Sequence, residues 1–471
     1  MKSNKFFKKL AIFATSAIFS LPTMQAAQAA PGPLSPAPLF LSNIVEPNVF
    51  LTYDNSGSMA WVPVIDADLG FGFNSGRPVM GNTPTSGNLY TREWYNPDWD
   101  GNAQKRNTIP PESSYPDAWM LRNHNGNKNY YNPDITYVPW AGTDASGNPL
   151  YPPASATAAR RHPHPGHGQY NTTTNLLTAK TFATAGDLYL PTYHIWNDDG
   201  DGVMEPTDSF TTVTIGATDA ELQNFANWFV YYRTRELAAK AAIGQVIFNS
   251  DASRTGLALL HQRSASSRIV VGAESMTDAD KKRDLLLRFY SERSANGTPL
   301  RTTLEDVGDY FSKSSGGPIL NAANGGECQQ NFNILMTDGF WNGSDPSVGN
   351  ADKDTTSNGN TIFDGHSAFP PTAAESNDGG NYADEYDDTL ADVAMHYYEN
   401  DLRPTLGNKV PTQAGVDEAN HQHLVNFTIA FGVKGTLDPL STDPNLSDPL
   451  SKKDFWPEPD DNDPETIDDL W

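Results

Sequence analysis

The chain has 471 residues, with 32 Lys and Arg against 57 Asp and Glu, a formal charge of −25. That balance excludes a surface built to track nucleic-acid phosphates. A single cysteine, Cys328, excludes a disulfide scaffold, so a hydrophobic core has to hold the fold. The length suggests two or more domains, or one domain with large insertions.

Lys2, Lys5, Lys8 and Lys9 precede an apolar stretch from Leu10 to Leu21, and Ala27-Gln28-Ala29 supplies a small-residue cleavage site. Residues 1–29 read as a secretory signal peptide and 30–44 as a linker. The apolar stretch is too short to cross a bilayer, and no later one approaches about 18 residues. An exported mature chain without a membrane span is expected.

Residues 45–54 read as a strand, with Asp54-Asn55-Ser56-Gly57-Ser58 directly behind its apolar Val49-Phe50-Leu51. A long insertion, 61–215, follows. It is rich in Asn, Gly, Pro, Tyr and Trp, and aromatic packing in irregular loops is expected to order it. Two near-repeats stand out, Trp94-Tyr95-Asn96-Pro97-Asp98-Trp99 and the run from Tyr130 to Trp140. Their aromatics either form a glycan or protein recognition surface or cap the sheet and one another, and capping is the favoured reading. His162, His164 and His167 lie among prolines without a H-E-x-x-H pattern, so a solvated loop is expected there rather than a transition-metal site.

The insertion ends in an acidic loop from Asn197 to Asp208. Read as a calcium loop, Asn197, Asp199 and Asp201 take positions 1, 3 and 5, Gly202 makes the sharp turn, Val203 offers its carbonyl, Glu205 stands at position 9 and Asp208 closes at 12. Asn at position 1, Asp at 12 and the absence of a clear flanking helix depart from the standard pattern. The loop resembles the calcium loops of bacterial dockerin repeats.

Helical spacing runs from Asp219 to about Phe248 through Leu222, Phe225, Trp228, Phe229, Tyr232 and Leu237. Short strands are predicted at 256–260 and 267–271, the second at a sheet edge, then a helix over 278–294. A further helix covers 300–311, a strand 332–337, a helix 389–402 stopped by Pro404, and a strand 425–432. Cys328 reads as a small apolar residue at a strand entrance, since no His and acid pairing marks it as a nucleophile. Strands alternating with helices imply an α/β fold, a doubly wound, mainly parallel sheet flanked by helices. Such sheets bind ligands beyond the carboxyl ends of their strands, where both Asp54 and Asp338 fall.

Asp54, Ser56 and Ser58, Thr298 at the opening of a helix, and Asp338 at the end of a strand form a set of hydroxyls and few carboxylates. Magnesium, manganese or calcium suits oxygen-only donors, and a site poor in charge leaves the ion able to take one more carboxylate from a partner. The five residues resemble the metal-ion-dependent adhesion site of von Willebrand factor A domains. No G-x-S-x-G elbow or P-loop appears and Ser58 has no assignable base, so a binding protein rather than an enzyme is expected.

A narrower resemblance rests on Tyr131-Asn132-Pro133 with Tyr137 and Pro139-Trp140, on Asn224 to Phe229 followed by Tyr231-Tyr232-Arg233-Thr234-Arg235, and on Thr389 to Met395 through Asp401-Leu402-Arg403-Pro404. In order, these resemble the N-terminal half of the PilY1-type proteins of type IV pili. The resemblance implies a von Willebrand factor A-like domain over 45–435, a role in pilus biogenesis and surface attachment, and passage through the periplasm to the pilus tip and cell surface. Pilus subunits, including minor pilins, and host or abiotic surface ligands are the implied partners. The acidic, Pro-rich 436–471 reads as a connector to an absent C-terminal domain, in this family a β-propeller; the expectation is either a fragment or truncated product, or a propeller encoded separately. The rival expectation is an assembly scaffold that binds pilus subunits, with a purely structural metal.

Overall fold

The computed structural model describes, in the main, residues 45–60, 116–165, 173–177, 191–205, 207–261, 267–351, 386–413, 419–432 and 464–470. The expected signal peptide and the Trp94–Trp99 repeat lie outside the described residues.

The first strand, β1 (Asn48–Tyr53), is followed by the insertion, which contributes the hairpin β2 (Thr192–Asn197) and β3 (Ser209–Thr214). The chain continues through α1 (Leu222–Tyr231), α2 (Arg235–Asn249), β4 (Arg254–Leu259), β5 (Ile269–Ser275) and α3 (Ala279–Ser291). It then runs through α4 (Leu300–Ser312), β6 (Asn331–Thr337), α5 (Leu390–Glu399), β7 (Val425–Ala430) and the short α6 (Pro464–Asp468). The central sheet has the order β5-β4-β1-β6-β7, parallel except for β5, which pairs antiparallel with β4 at the edge. The doubly wound, mainly parallel α/β fold is thus as expected, with helices on both faces.

Alternation along β1 builds both layers. Phe50 enters one apolar cluster, beside Tyr310 and Phe311 of α4 with ring centroids 5.5 and 5.8 Å away. Leu51 and Tyr53 enter the other, where Tyr53 meets Phe289 of α3 edge-on at 5.0 Å. Full burial of one such aromatic contributes about 1.5–3 kcal/mol. Gly256 in β4 leaves room for Phe50, since a Cβ there would stand 2.2 Å from the ring.

Polar side chains fix the register of the buried strands. The Asn48 amide donates to Asn331 Oδ1 at 2.8 Å, the Thr52 hydroxyl to Asn333 Oδ1 at 2.7 Å, and the Asn333 amide to Asn426 Oδ1 at 2.9 Å. Slipping a strand would strand these groups in the core without partners.

The predicted helix over 219–248 is two helices. Tyr232 ends α1, and Thr234 caps α2 by accepting from the Leu237 amide. This break places Arg235 at the N-terminus of α2. The predicted helix 389–402 ends at Glu399, before Pro404, and Thr389 opens it with a capping box to Asp392.

Among the described residues of the insertion, aromatic side chains pack together in irregular loops, as expected there. Tyr131 lies within 6 Å of Tyr137, Tyr193, Phe225 and Trp228. Trp140 stacks on Tyr290 at 4.7 Å and donates its indole N–H to the carbonyls of Tyr231 and Leu237. In the second near-repeat the aromatics therefore cap the helices, which decides against a recognition surface made of those rings. At the other end, residues 464–470 of the expected connector are seated on the domain. Ile467 and Leu470 are buried, and Asp469 Oδ2 accepts from the Leu390 and Ala391 amides, capping α5.

Candidate metal centre

Asp54 and Asp338 follow the adjacent parallel strands β1 and β6, paired at Tyr53 and Met336, so both carboxylates emerge at the same edge of the sheet. The Asp54 amide donates to the Met336 carbonyl at 3.1 Å and carries the ladder one step past β1. The chain then turns, with the Ser56 amide on Asp54 Oδ1 at 2.7 Å. From there the oxygens form a chain. Ser56 Oγ and Ser58 Oγ are 2.9 Å apart, and Ser58 Oγ donates to Asp338 Oδ1 at 2.7 Å.

Thr298 is held on the same rim by backbone bonds. Ala295 donates to the Asn55 carbonyl at 2.8 Å and Gly57 to the Asn296 carbonyl at 3.0 Å. Asn296 takes a left-handed conformation, φ 69°, that turns the chain toward Thr298. Asn342 brackets Thr298, accepting from its amide and donating to its carbonyl. The structure thus brings Asp54, Ser56, Ser58 and Asp338 into one hydrogen-bonded chain and ties the Thr298 segment to it.

Asp54 is 0% exposed, Ser56 1%, Asp338 1% and Thr298 5%; Ser58 alone of the five is partly open. Burial first, then the charge of Asp338, pushes the Asp54 carboxyl up to about 7, although Ser56 and Thr337 bonds pull it down. The Tyr53 phenol is likewise pushed well up, by burial and by Glu236, Asp54 and Asp338. Two buried carboxylates that repel each other among oxygen donors fit a hard divalent cation, which would relieve the repulsion.

Two residues that the sequence did not mark as site residues complete the frame. The Thr337 hydroxyl donates to Asp54 Oδ2 at 2.7 Å. Arg235, 3% exposed, donates from Nη1 to Asp338 Oδ2 and to the Asp338 carbonyl, both at 2.9 Å. The sequence placed Arg235 inside a continuous predicted helix and in the Tyr231 to Arg235 run, and neither identifies the role.

The acidic loop departs from its expected register. Asn197 belongs to β2, pairs with Ser209, and turns its side chain to Ser209 and Thr211. Asp208 Oδ2 accepts from the Trp196 indole at 2.9 Å and the Glu205 amide at 2.8 Å. Both predicted end ligands are thereby engaged in closing the hairpin. Instead, Asp198, Asp199 and Asp201 offer carboxylate oxygens within 4.8 Å of one another, a group able to hold a metal ion. Asp198 organises the turn through the Gly200 and Gly202 amides, and Gly200 bond first these hold its carboxyl below the usual range. Val203 donates its amide to Asp201, and Glu205 accepts from Thr207.

His162 is buried rather than solvated, because its loop is pressed against α2. Its Nδ1 accepts from the His164 amide, and Nε2 faces Glu236 Oε1 at 3.7 Å. Burial lowers its pKa to about 4. Glu236 is in turn held by Lys240 at 2.5 Å and by Ser294. His167 lies outside the described residues. Cys328 sits exposed on a 3-10 turn, not packed as a small apolar side chain.

Fold and site together define a doubly wound α/β domain with an oxygen-lined candidate cation site at its strand ends. Compared with known proteins, no family model and no solved structure matches the chain. Curated proteins do match. The type IV pilus biogenesis factor PilY1 of Pseudomonas aeruginosa strain UCBPP-PA14 is 28% identical over 473 residues, covering 93% of this chain and 36% of the relative. Its counterpart in strain PAK is 28% identical over 461 residues, covering 88% and 34%, and that of strain PAO1 is 24% identical over 490, covering 95% and 37%. Over most of its length the chain is thus similar to PilY1-type proteins, and it spans about a third of the length of the curated relatives it matches. Among the described residues, no helix is long and apolar enough to cross a membrane.

Proposed function

We propose that the chain is an exported, divalent-cation-dependent adhesive domain of the von Willebrand factor A type, belonging to a type IV pilus tip-associated protein and acting in pilus biogenesis and surface attachment. The observation that carries this reading is the gathering of Asp54, Ser56, Ser58 and Asp338 at the carboxyl ends of β1 and β6. The strand order, with β1 central and one antiparallel edge strand, supports the domain type, and the relatives, type IV pilus biogenesis factors, support the pilus context.

A bound Mg²⁺, Mn²⁺ or Ca²⁺ would supply a Lewis-acidic point that attracts an oxygen of a partner. The chain's residues do the positioning. Thr337 and the Ser56 amide hold Asp54, Arg235 and Ser58 hold Asp338, and the partly open Ser58 marks the side from which a partner's oxygen approaches. The proposed role is binding, not catalysis. Proposed partners are pilus subunits and host or abiotic surface ligands, at the pilus tip and cell surface.

The near-complete burial of Asp54, Ser56 and Asp338 favours a second reading, an assembly scaffold whose metal is structural. Both are tested by expressing wild type or Asp54→Ala in a strain lacking its own copy, counting pili and attached cells. Purified protein is captured on matrix-coated and bare surfaces in Mg²⁺ and in EDTA. Adhesion predicts Mg²⁺-dependent capture that Asp54→Ala abolishes without unfolding the chain. Lost piliation with no capture by the wild type selects the scaffold, and unchanged piliation and capture defeats both.

A further inference from the structure

Arg235 places a full positive charge against one of the two acids of the candidate site. Its side chain is 3% exposed and that of Asp338 0%, so solvent does little to screen the pair. One nitrogen, Nη1, serves both the Asp338 carboxylate and its main-chain carbonyl. The anchoring is rigid, because Arg235 is the first residue of α2 and Thr234 caps that helix. Asp338 Oδ2 is therefore taken by the guanidinium and Oδ1 by the Ser58 hydroxyl.

The charge of the whole set follows. Ionised Asp54 and Asp338 with Arg235 sum to −1, so a divalent cation leaves the buried site at +1. Without the guanidinium, the same cation would be matched by the two carboxylates and water would complete its shell. We propose that Arg235 is a specificity-determining residue: its buried charge weakens cation binding and in exchange makes the loaded site require an anionic oxygen donor, the carboxylate of a partner. This deepens the adhesive reading and rests on cation binding at this site. The two affinities are coupled in opposite directions through one residue, which a merely structural arginine would not do.

The test uses the mature chain and its Arg235→Gln variant, which keeps an amide donor and loses the charge. Calorimetry with Mn²⁺ reads cation affinity. Water-proton relaxation of the Mn²⁺-loaded protein, titrated with acetate, reads displacement of metal-bound water by a carboxylate. The expected result is Mn²⁺ affinity at least about tenfold tighter in Arg235→Gln, with acetate capture at least about tenfold weaker. Equal or weaker Mn²⁺ affinity with unchanged acetate capture overturns the role of Arg235 while leaving the cation site standing. Failure of both proteins to bind Mn²⁺ overturns the metal reading itself. Circular dichroism in EDTA checks folding. Should the variant not fold, the wild type decides through acetate against acetamide: displacement by acetate alone supports the proposal, and equal displacement by the neutral amide overturns it.

Discussion

Asp54 and Asp338 are buried at the strand ends, whereas Asp198, Asp199 and Asp201 stand exposed on a hairpin loop. The buried pair is surrounded by compensation, with Arg235 on one acid and hydroxyls of Thr337, Ser56 and Ser58 around both. The exposed trio has backbone amides at its turn and water for the rest. Removing a carboxylate from water is costly unless charge or hydrogen bonds offset it, while an exposed acidic turn needs no ion to exist. The offset at the strand ends is incomplete, since burial and the charge of Asp338 still raise the Asp54 carboxyl, and that remaining repulsion is what a cation would relieve.

The sharpest way to break the contrast is Arg235→Ala. In EDTA it leaves Asp338 buried without its guanidinium and is expected to cost about 3–5 kcal/mol in urea unfolding. Added Mg²⁺ should restore more stability to this variant than to the wild type. An equal effect of Mg²⁺ on both would separate Arg235 from the cation site.

Next in size is a pH effect beside the site. The folded pKa of His162, about 4, lies below its ordinary 6.5, so the unfolded state binds more protons between these values. Stability therefore rises with pH through the window and falls as pH drops from 6.5 toward 4, by at most about 3 kcal/mol. Denaturant unfolding at several pH values should show that slope, and His162→Gln should flatten it. Glu236, held well below its usual range with Lys240 beside it, adds its own loss only at lower pH.

Thr337→Val keeps the strand and removes the hydroxyl on Asp54 Oδ2. The expected change is a 10–100-fold weaker cation affinity, the range usual for groups that orient a ligand. Smallest of all, Asp199→Ala in EDTA should alter stability by less than about 0.5 kcal/mol, as expected for an exposed side chain. A larger loss would mean that the hairpin loop depends on that carboxylate in a way its exposure does not indicate.

Much of this was legible in local sequence. Asp54, Ser56, Ser58 and Asp338 lie directly behind apolar strands, and adjacent parallel strands deliver residues at such positions to one edge. Register pairs such as Asn48 with Asn331 were not legible, since the partners lie 283 residues apart. Arg235 reaches Asp338 across 103 residues, and only tertiary packing supplies that meeting. At the acidic loop it was the hairpin that the sequence did not reveal. Its spacing suits a calcium loop, but the closing rung from Asn197 to Ser209 draws the first predicted ligand into a ladder that helix-flanked loops do not have. His162 looked solvated among prolines, yet the aromatic insertion packs it against α2.

The most direct measurement is calorimetric titration of the mature chain with Mg²⁺, Mn²⁺ and Ca²⁺, beside Asp54→Ala and Asp199→Ala. Binding at the strand ends predicts a cation site present in the wild type, retained in Asp199→Ala and lost in a folded Asp54→Ala. A wild type that binds no divalent cation, or an Asp54→Ala variant that binds as the wild type does, would contradict it.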